Sequence, residues 1–460
     1  YVRCNERGEN IYSPSTLLGE NYGTKTFKAL MIFALPYMFS NLLQVLYGSA
    51  DLFVVGQFGH TFDVSGVSIG SQAMALITNL VLGLTTGVTV LLGQYLGSKS
   101  YRDLSKTIGG AIVLFLIIAL GLTFVMLSFN NEITLLMNTP KEAIEATKSY
   151  LSICSAGIIF IVGYNVVSSI LRGLGDSKTP LLFVFIACII NIIVDFVLVG
   201  YFHMGAKGAA IATVSAQGFS FLFALVYLCK KGIGYSFYKE DICFSKYIQK
   251  IMRIGFPLGL QSVLVNISFL IITIIVNQMG LIASASLGVV EKLMGFLMLP
   301  AIVLGSVLAS LIALNVGAKQ YKRAKQTLKY AIMISLAFAI IVTTICEIDG
   351  TILTCIFTNN QDVIKNGALY LKTYSIDCLL TSFLFCINGY LNGYERTVST
   401  MVHSLVATFV GRIPLTLLFS KIPNVTLFHM GIAAPLSTMI SLVMIFIYFK
   451  KTKFDNIKER

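Results

Sequence analysis

The chain repeats itself in register. Leu35-Pro36 through Gln57-Phe58-Gly59 returns as Phe256-Pro257 through Gln278-Met279-Gly280. Gly97-Ser98-Lys99-Ser100-Tyr101-Arg102 returns as Gly317-Ala318-Lys319-Gln320-Tyr321-Lys322, and Leu171-Arg172-Gly173 returns as Leu391-Asn392-Gly393. Every pair stands 220 or 221 residues apart. One offset held along the whole chain marks a duplicated unit, so whatever the first half folds into, the second must fold into as well.

The medium of that fold follows from polarity. Hydrophobic residues make up 56% of the chain, charged residues only 12%, and mean hydropathy is +0.81. A soluble domain carries about twice that charge, so the chain reads as an all-α integral membrane protein. Apolar runs near the ~20 residues that a bilayer core demands fall at 28–56, 67–96, 107–129, 149–171, 180–201 and 208–229. The second half supplies 250–279, 283–316, 328–346, 367–394, 398–420 and 430–449. Twelve transmembrane helices result, six per repeat. An even number returns the chain to its starting side, which makes the repeats parallel and not inverted. Continuous apolar stretches such as Ala111 to Met126 lack the alternation of a transmembrane barrel. The expected organisation is a cytoplasmic lead over 1–27, a six-helix lobe over 28–230, a cytoplasmic loop over 231–247, a second lobe over 248–450, and a tail over 451–460.

Basic residues orient the spans. With a cytoplasmic amino terminus, 26 Lys and Arg fall in cytoplasmic segments and 6 opposite, which places both termini in the cytoplasm of a cell whose inner (plasma) membrane the chain crosses. The net charge of +13 is explained by this bias, and no nucleic-acid partner is implied. Residues 1–27 are polar and contain Glu6, Glu9 and Glu20, unlike a cleavable signal.

Several chemistries are disfavoured. The sequence has no G-x-x-x-x-G-K-[ST] nucleotide loop and no H-E-x-x-H metal motif. Its four histidines, His60, His203, His403 and His429, are expected at or near span ends. Nine cysteines without C-x-x-C spacing read as small packing residues. Neither an enzyme nor an organic cofactor is expected.

The polar residues inside the spans carry the functional reading. Asp51 lies within the first span, where an ionised carboxylate at mid-membrane costs about 2.5–3.5 kcal/mol on insertion scales, so it must face protein or a wet cavity. Asn191 and Asp195 stand four residues apart in the fifth span and share one helix face. Thr213 in the sixth span is placed to join them. Together the four offer the carboxyl, amide and hydroxyl oxygens that would exchange a proton or hold Na⁺. Gln44 and Tyr47 extend the Asp51 face by steps of three and four, and Asn165 adds a further amide. In the second half, Glu291, Asp377 and Arg412 are candidates for a substrate cavity, with pairing of Glu291 or Asp377 to Arg412 rated slightly higher. Lys292 points about 100° away from Glu291, so those neighbours are not expected to pair.

Leu35-Pro36 ahead of Asp51, the loop Leu171-Arg172-Gly173-Leu174-Gly175-Asp176 followed by Thr179-Pro180, then Asn191, Asp195 and Thr213 resemble the multidrug and toxic compound extrusion (MATE) family, more closely its prokaryotic DinF-like branch. The resemblance covers residues 28 to 450. It implies a V-shaped pair of six-helix lobes around a central cavity, working as a monomer and exporting lipophilic or cationic organic compounds in exchange for H⁺ or Na⁺. Asp51, Asn191, Asp195 and Thr213 resemble that family's amino-lobe cation site. One departure concerns the seventh span, where a Na⁺-coupled branch carries Glu and this chain has Leu264-Val265-Asn266; Asp377 is also shifted by about one turn. An alternative with the same two-lobe plan is a lipid-linked oligosaccharide flippase, which needs several Arg or Lys toward pyrophosphate. A receptor or scaffold would not need the acids.

Overall fold

The repeat is visible as geometry. The structure, a computed structural model, describes residues 24–231, 237–423 and 425–452. The expected lead up to residue 23, residues 232–236 of the loop and the tail from 453 lie outside the described residues. Lys99 and Lys319, 220 apart, each take a left-handed φ, +57° and +58°. Each is followed by the same return hydrogen bond, Ser100 N to Tyr95 O at 2.9 Å and Gln320 N to Asn315 O at 2.7 Å. Gly173 abuts Leu92 as Gly393 abuts Ile312, again 220 apart in both partners. A duplicated sequence has produced duplicated turns and duplicated contacts.

The first repeat comprises α1 (Thr24–Phe58), α2 (Thr61–Gly97), α3 (Tyr101–Ser128), α4 (Ile144–Ala156), α5 (Ile158–Gly173), α6 (Lys178–Asp195) and α7 (Gly205–Lys231). The second comprises α8 (Lys246–Asn277), α9 (Leu281–Leu297), α10 (Leu299–Gly317), α11 (Tyr321–Asp349), α12 (Gln361–Gly393), α13 (Thr397–Val406), α14 (Ile413–Ser420) and α15 (Leu427–Thr452). Among the described residues, eleven helices are long and apolar enough to cross a membrane, and twelve if the bent pair α4 and α5, angled by 49°, is one span. Among the described residues there is no strand. The helices begin ahead of the apolar runs because the flanking polar residues can continue a helix outside the hydrocarbon.

Two interruptions were not expected from apolar continuity. The fourth span breaks at Gly157, and the run 283–316 breaks at Met298, where Pro300 enters the first turn of α10 and cannot donate its missing N–H. Widened π turns follow α6 (Phe196–Tyr201) and join α13 to α14 (Ala407–Arg412).

The described residues divide into two compact units, one over 31–259 and one over 24–30 together with 260–452. In the first unit α2 packs on α4 and α5, and α7 on α6 and α4. Small residues allow its closest crossing. Gly83 and Gly87 of α2 meet Gly259 and Gly255 of α8 so tightly that a Cβ on Gly83 would lie 2.5 Å from Gly259 Cα. Glycines four apart on both helices let backbones approach where lipid supplies no hydrophobic drive. In the second unit α12 is central, packed on α10, α11 and α15, with Val276, Leu287, Val290, Leu371 and Cys346 in its core.

The loop after α5 shows why its residues are the ones they are. Arg172 stacks 4.1 Å over the Tyr37 ring and donates to its hydroxyl at 3.2 Å. Gly175 takes φ +89°. Asp176 then caps α6, accepting from the backbone N–H groups of Lys178 and Thr179 at 3.0 Å each. After α7, the loop ahead of α8 is strapped to α3. There the Asp241 carboxylate accepts from Ser105 Oγ at 2.6 Å and pairs with Arg102 at 3.2 Å.

Candidate functional site

Three helices of the first unit converge on one polar cluster. Asp51, about two turns before the end of α1, is buried; Asn191 and Asp195 of α6 are fully buried, 0% exposed. Thr213 Oγ of α7 donates to Asp51 Oδ2 at 2.7 Å. Asp195 and Asn191 lie within hydrogen-bonding range of the same Asp51 carboxyl group. The i, i+4 spacing on α6 brings amide and acid to one face, and the small residues Ala209, Ala210 and Ala212 of α7, all 0% exposed, let Thr213 reach them.

The hydrogen bonds of this cluster are incomplete. Asp51 Oδ1, both Asp195 oxygens and the Asn191 amide atoms are buried with no hydrogen bond of good geometry among the described residues. Asp63 gives the contrast inside the same unit. It too is buried, but its oxygens accept from the backbone N–H groups of Ala206 at 2.9 Å and His60 at 3.2 Å, which tie α7 to the start of α2. Asp63 is satisfied by the fold, whereas Asp51 and Asp195 face one another. Two bare carboxylates at that range repel strongly in a low-dielectric interior, and a proton between them or a cation on their oxygens removes the repulsion.

Sequence reasoning missed two neighbours. Gln217 of α7 donates to the Tyr47 hydroxyl at 3.0 Å, and Tyr150 of α4 lies within hydrogen-bonding range of Thr213. The signal for Gln217 was available, since it follows Thr213 by four residues on one face of α7. Tyr150 had none, because its place depends on the bend between α4 and α5. Asn165 is turned back on its own helix, donating to Ile161 O at 2.8 Å, and Gln44 is half-buried on α1.

The second unit arranges its charges differently. Asp377 of α12, fully buried, pairs with Arg412 at 3.5 Å, and the Arg412 guanidinium lies 5.0 Å over the Phe269 ring. Glu291 is exposed and accepts from Thr273 Oγ at 3.3 Å. Of the two pairings expected for Arg412, the structure forms the one with Asp377. His403 lies near the start of the span Thr397–Ser420. It is buried within α13, with Nδ1 2.7 Å from Ser441 Oγ. Among the described residues no group of three or more His, Cys, Asp or Glu side chains could hold a metal ion, and every cysteine with a placed side chain is a free thiol.

Comparison with known proteins covers both repeats. The profile of the MatE family matches residues 36–197 and again 257–418. The probable multidrug resistance protein YpnP of Bacillus subtilis (strain 168) is 26% identical over 432 residues, covering 94% of this chain and 96% of that protein. The multidrug export protein MepA of Staphylococcus aureus (strain MSSA476) is 26% identical over 402 residues, 85% of this chain and 86% of its own. Among solved structures, a MOP superfamily transporter from Pyrococcus furiosus superposes with TM-score 0.89 at 20% identity, over 97% of this chain and 99% of that one. An outward-facing multidrug resistance MATE transporter of the same superfamily gives TM-score 0.89 at 20% identity, over 97% and 98%.

Proposed function

This chain belongs to the MatE family of membrane transporters, and from that premise we propose that it is a multidrug exporter driven by exchange for H⁺ or Na⁺ at Asp51, Asn191, Asp195 and Thr213. The observation that carries the reading is the buried carboxyl pair, Asp51 with one hydrogen-bond donor and Asp195 with none. A site left short of donors by the fold is completed by an exchangeable cation.

The cycle then follows from electrostatics. With the pair loaded by a proton or Na⁺, α1, α6 and α7 are held together at their polar contact; emptied, the carboxylates repel and the contact loosens. Pro36 lies inside α1, its carbonyl accepting from Ser40 Oγ at 2.9 Å, and provides the point at which α1 bends. One proton falling through one pH unit supplies about 1.4 kcal/mol and 100 mV adds about 2.3 kcal/mol per charge, while 100-fold accumulation needs about 2.7 kcal/mol. One cation is sufficient for an uncharged substrate, and two for a monovalent cationic one, whose own exit costs about 2.3 kcal/mol against 100 mV.

The same proposal places the protein in the plasma membrane with both termini cytoplasmic, acting as a monomer on lipophilic or cationic organic compounds, in the DinF-like branch. It is a transporter and not an enzyme. The flippase alternative needs several cationic side chains. Among the described residues lining the cavity of the second unit, Arg412 is the one basic side chain, and it is already paired. The deciding experiment is dye efflux from proteoliposomes under imposed pH or Na⁺ gradients. Export that follows either gradient supports the reading and identifies the ion; gradient-independent movement of a lipid-linked sugar overturns it.

A further inference from the structure

The loop ahead of α8 is held beside the residues that open an apolar run. Gly109 and Gly110 of α3 stand at the start of the run 107–129, and a Cβ on Gly109 would collide with the Asp241 carbonyl. The same loop is fixed from within. The buried Asp241 carboxylate takes Ser105 and Arg102, and the Tyr238 N–H donates to Ser105 Oγ at 3.2 Å. With these polar groups turned inward, apolar side chains point out. Ile242 is 43% exposed and Phe244 78%. In water a bared phenyl ring costs free energy, whereas Phe and Ile beside basic residues are what an interfacial segment lays into the boundary between headgroups and acyl chains.

The basic residues are at hand. Lys246, Lys250 and Arg253 are exposed and follow one another by four and three, so they form a row about 10 Å long on one face of α8. Lys250 is steered by Tyr95 of α2, donating to its hydroxyl at 2.7 Å, with its ammonium 5.4 and 5.2 Å from the ring centroids of Tyr95 and Tyr247. Lys246 lies 5.8 Å from the Tyr247 ring, and the Tyr247 hydroxyl donates to Asp103 of α3. Over residues 237–253 the exposed charges are Lys239, Lys246, Lys250 and Arg253 against Glu240, four cations less one acid.

We propose that the loop 238–244 and the first two turns of α8 form a binding surface for anionic glycerophospholipids: Lys246, Lys250 and Arg253 take the headgroup phosphate, and Ile242 and Phe244 enter the acyl boundary. A zwitterionic headgroup carries its own cation, which the basic row repels. A free phosphate gains nothing from the two apolar side chains. A lipid of net negative charge satisfies both halves of the surface.

The inference needs the orientation proposed above only to say which leaflet supplies the lipid, and it uses neither the export reading nor the coupling ion. The chain has no tryptophan, so Phe244→Trp gives the full-length protein a single indole, placed at the proposed surface. In proteoliposomes, quenching of that indole by acyl-brominated phosphatidylglycerol and by acyl-brominated phosphatidylcholine reads the relative affinity of the two lipids there. A Lys or Arg close to an anionic headgroup contributes about fivefold. Three of them predict a preference for phosphatidylglycerol of about 100-fold at low salt, and of at least about tenfold with partial screening. K246Q/K250Q/R253Q in the same background should bring the two lipids within about twofold of each other. Arg253→Gln alone should lower the preference by about twofold or more and serves if the triple variant does not fold. Inorganic phosphate at constant ionic strength should leave the preference unchanged. The surface is overturned by an indole that neither lipid quenches, by a preference below about tenfold before the cations are removed, or by one that K246Q/K250Q/R253Q and Arg253→Gln leave intact. Abolition of the preference by inorganic phosphate overturns the lipid as its ligand.

Discussion

Asp195→Asn is the sharpest perturbation of the cation cluster. The substitution preserves volume, so the fully buried position gains no cavity, and the new amide N–H can donate to Asp51. The fold should survive with a change of about 1 kcal/mol or less. Transport should not. The two acids face each other within hydrogen-bonding range, and on the proposed reading they share one proton or cation and form a single exchange site. At one pH unit and 100 mV, one proton supplies about 1.4 plus 2.3 kcal/mol, a ceiling of about 500-fold accumulation for an uncharged substrate. Two independent sites would square that ceiling, and losing one would still leave about 500-fold. A shared site predicts that Asp195→Asn falls to simple equilibration, an accumulation ratio near one. The assay is the steady-state ratio of a lipophilic dye across proteoliposome membranes under a clamped gradient. A variant that still concentrates the dye more than about tenfold, and loses this on adding a protonophore, would refute the shared site.

Other outcomes follow from the same contacts. Thr213→Val removes the 2.7 Å donor to Asp51, a hydrogen bond to a charged group worth about 1.5–3 kcal/mol, and should slow coupled efflux by about tenfold or more, with Thr213→Ser restoring it. Arg412→Ala strips the partner from buried Asp377 and should lower stability by about 3–5 kcal/mol in a thermal unfolding assay, most of it regained in R412M/D377L. Gly83→Ala would set a methyl 2.5 Å from the Gly259 backbone, and a destabilisation of about 1–3 kcal/mol is expected by the same assay. Lys319→Gly relieves a left-handed φ of +58° and should raise stability by up to about 1 kcal/mol.

Much of this was legible in the residues themselves. Asp51, Asn191, Asp195 and Thr213 were placed together because an acid inside a span needs company and because i, i+4 spacing fixes a shared face. The Arg412–Asp377 pair was anticipated for the same reason, as one of two choices. Asn165 was less well read, since an amide in a helix can satisfy itself on the preceding turn, as its bond to Ile161 shows. The partner of His403 was not legible, because an apolar run does not reveal that Ser441 of another helix will meet its ring.

Duplication, helical class and the location of the unusual acids were decided by sequence alone, since they depend on local period, length and the cost of charge in hydrocarbon. Tertiary structure decided which acids are satisfied. Asp63 and Asp51 are both buried carboxylates in the same repeat, and only the packing of α7 gives one of them backbone donors and leaves the other facing Asp195. It also decided that Arg412 pairs with Asp377 and not with Glu291. Periodicity is a property of neighbours along the chain, whereas the supply of hydrogen-bond donors and of empty space is set by helices far apart in sequence.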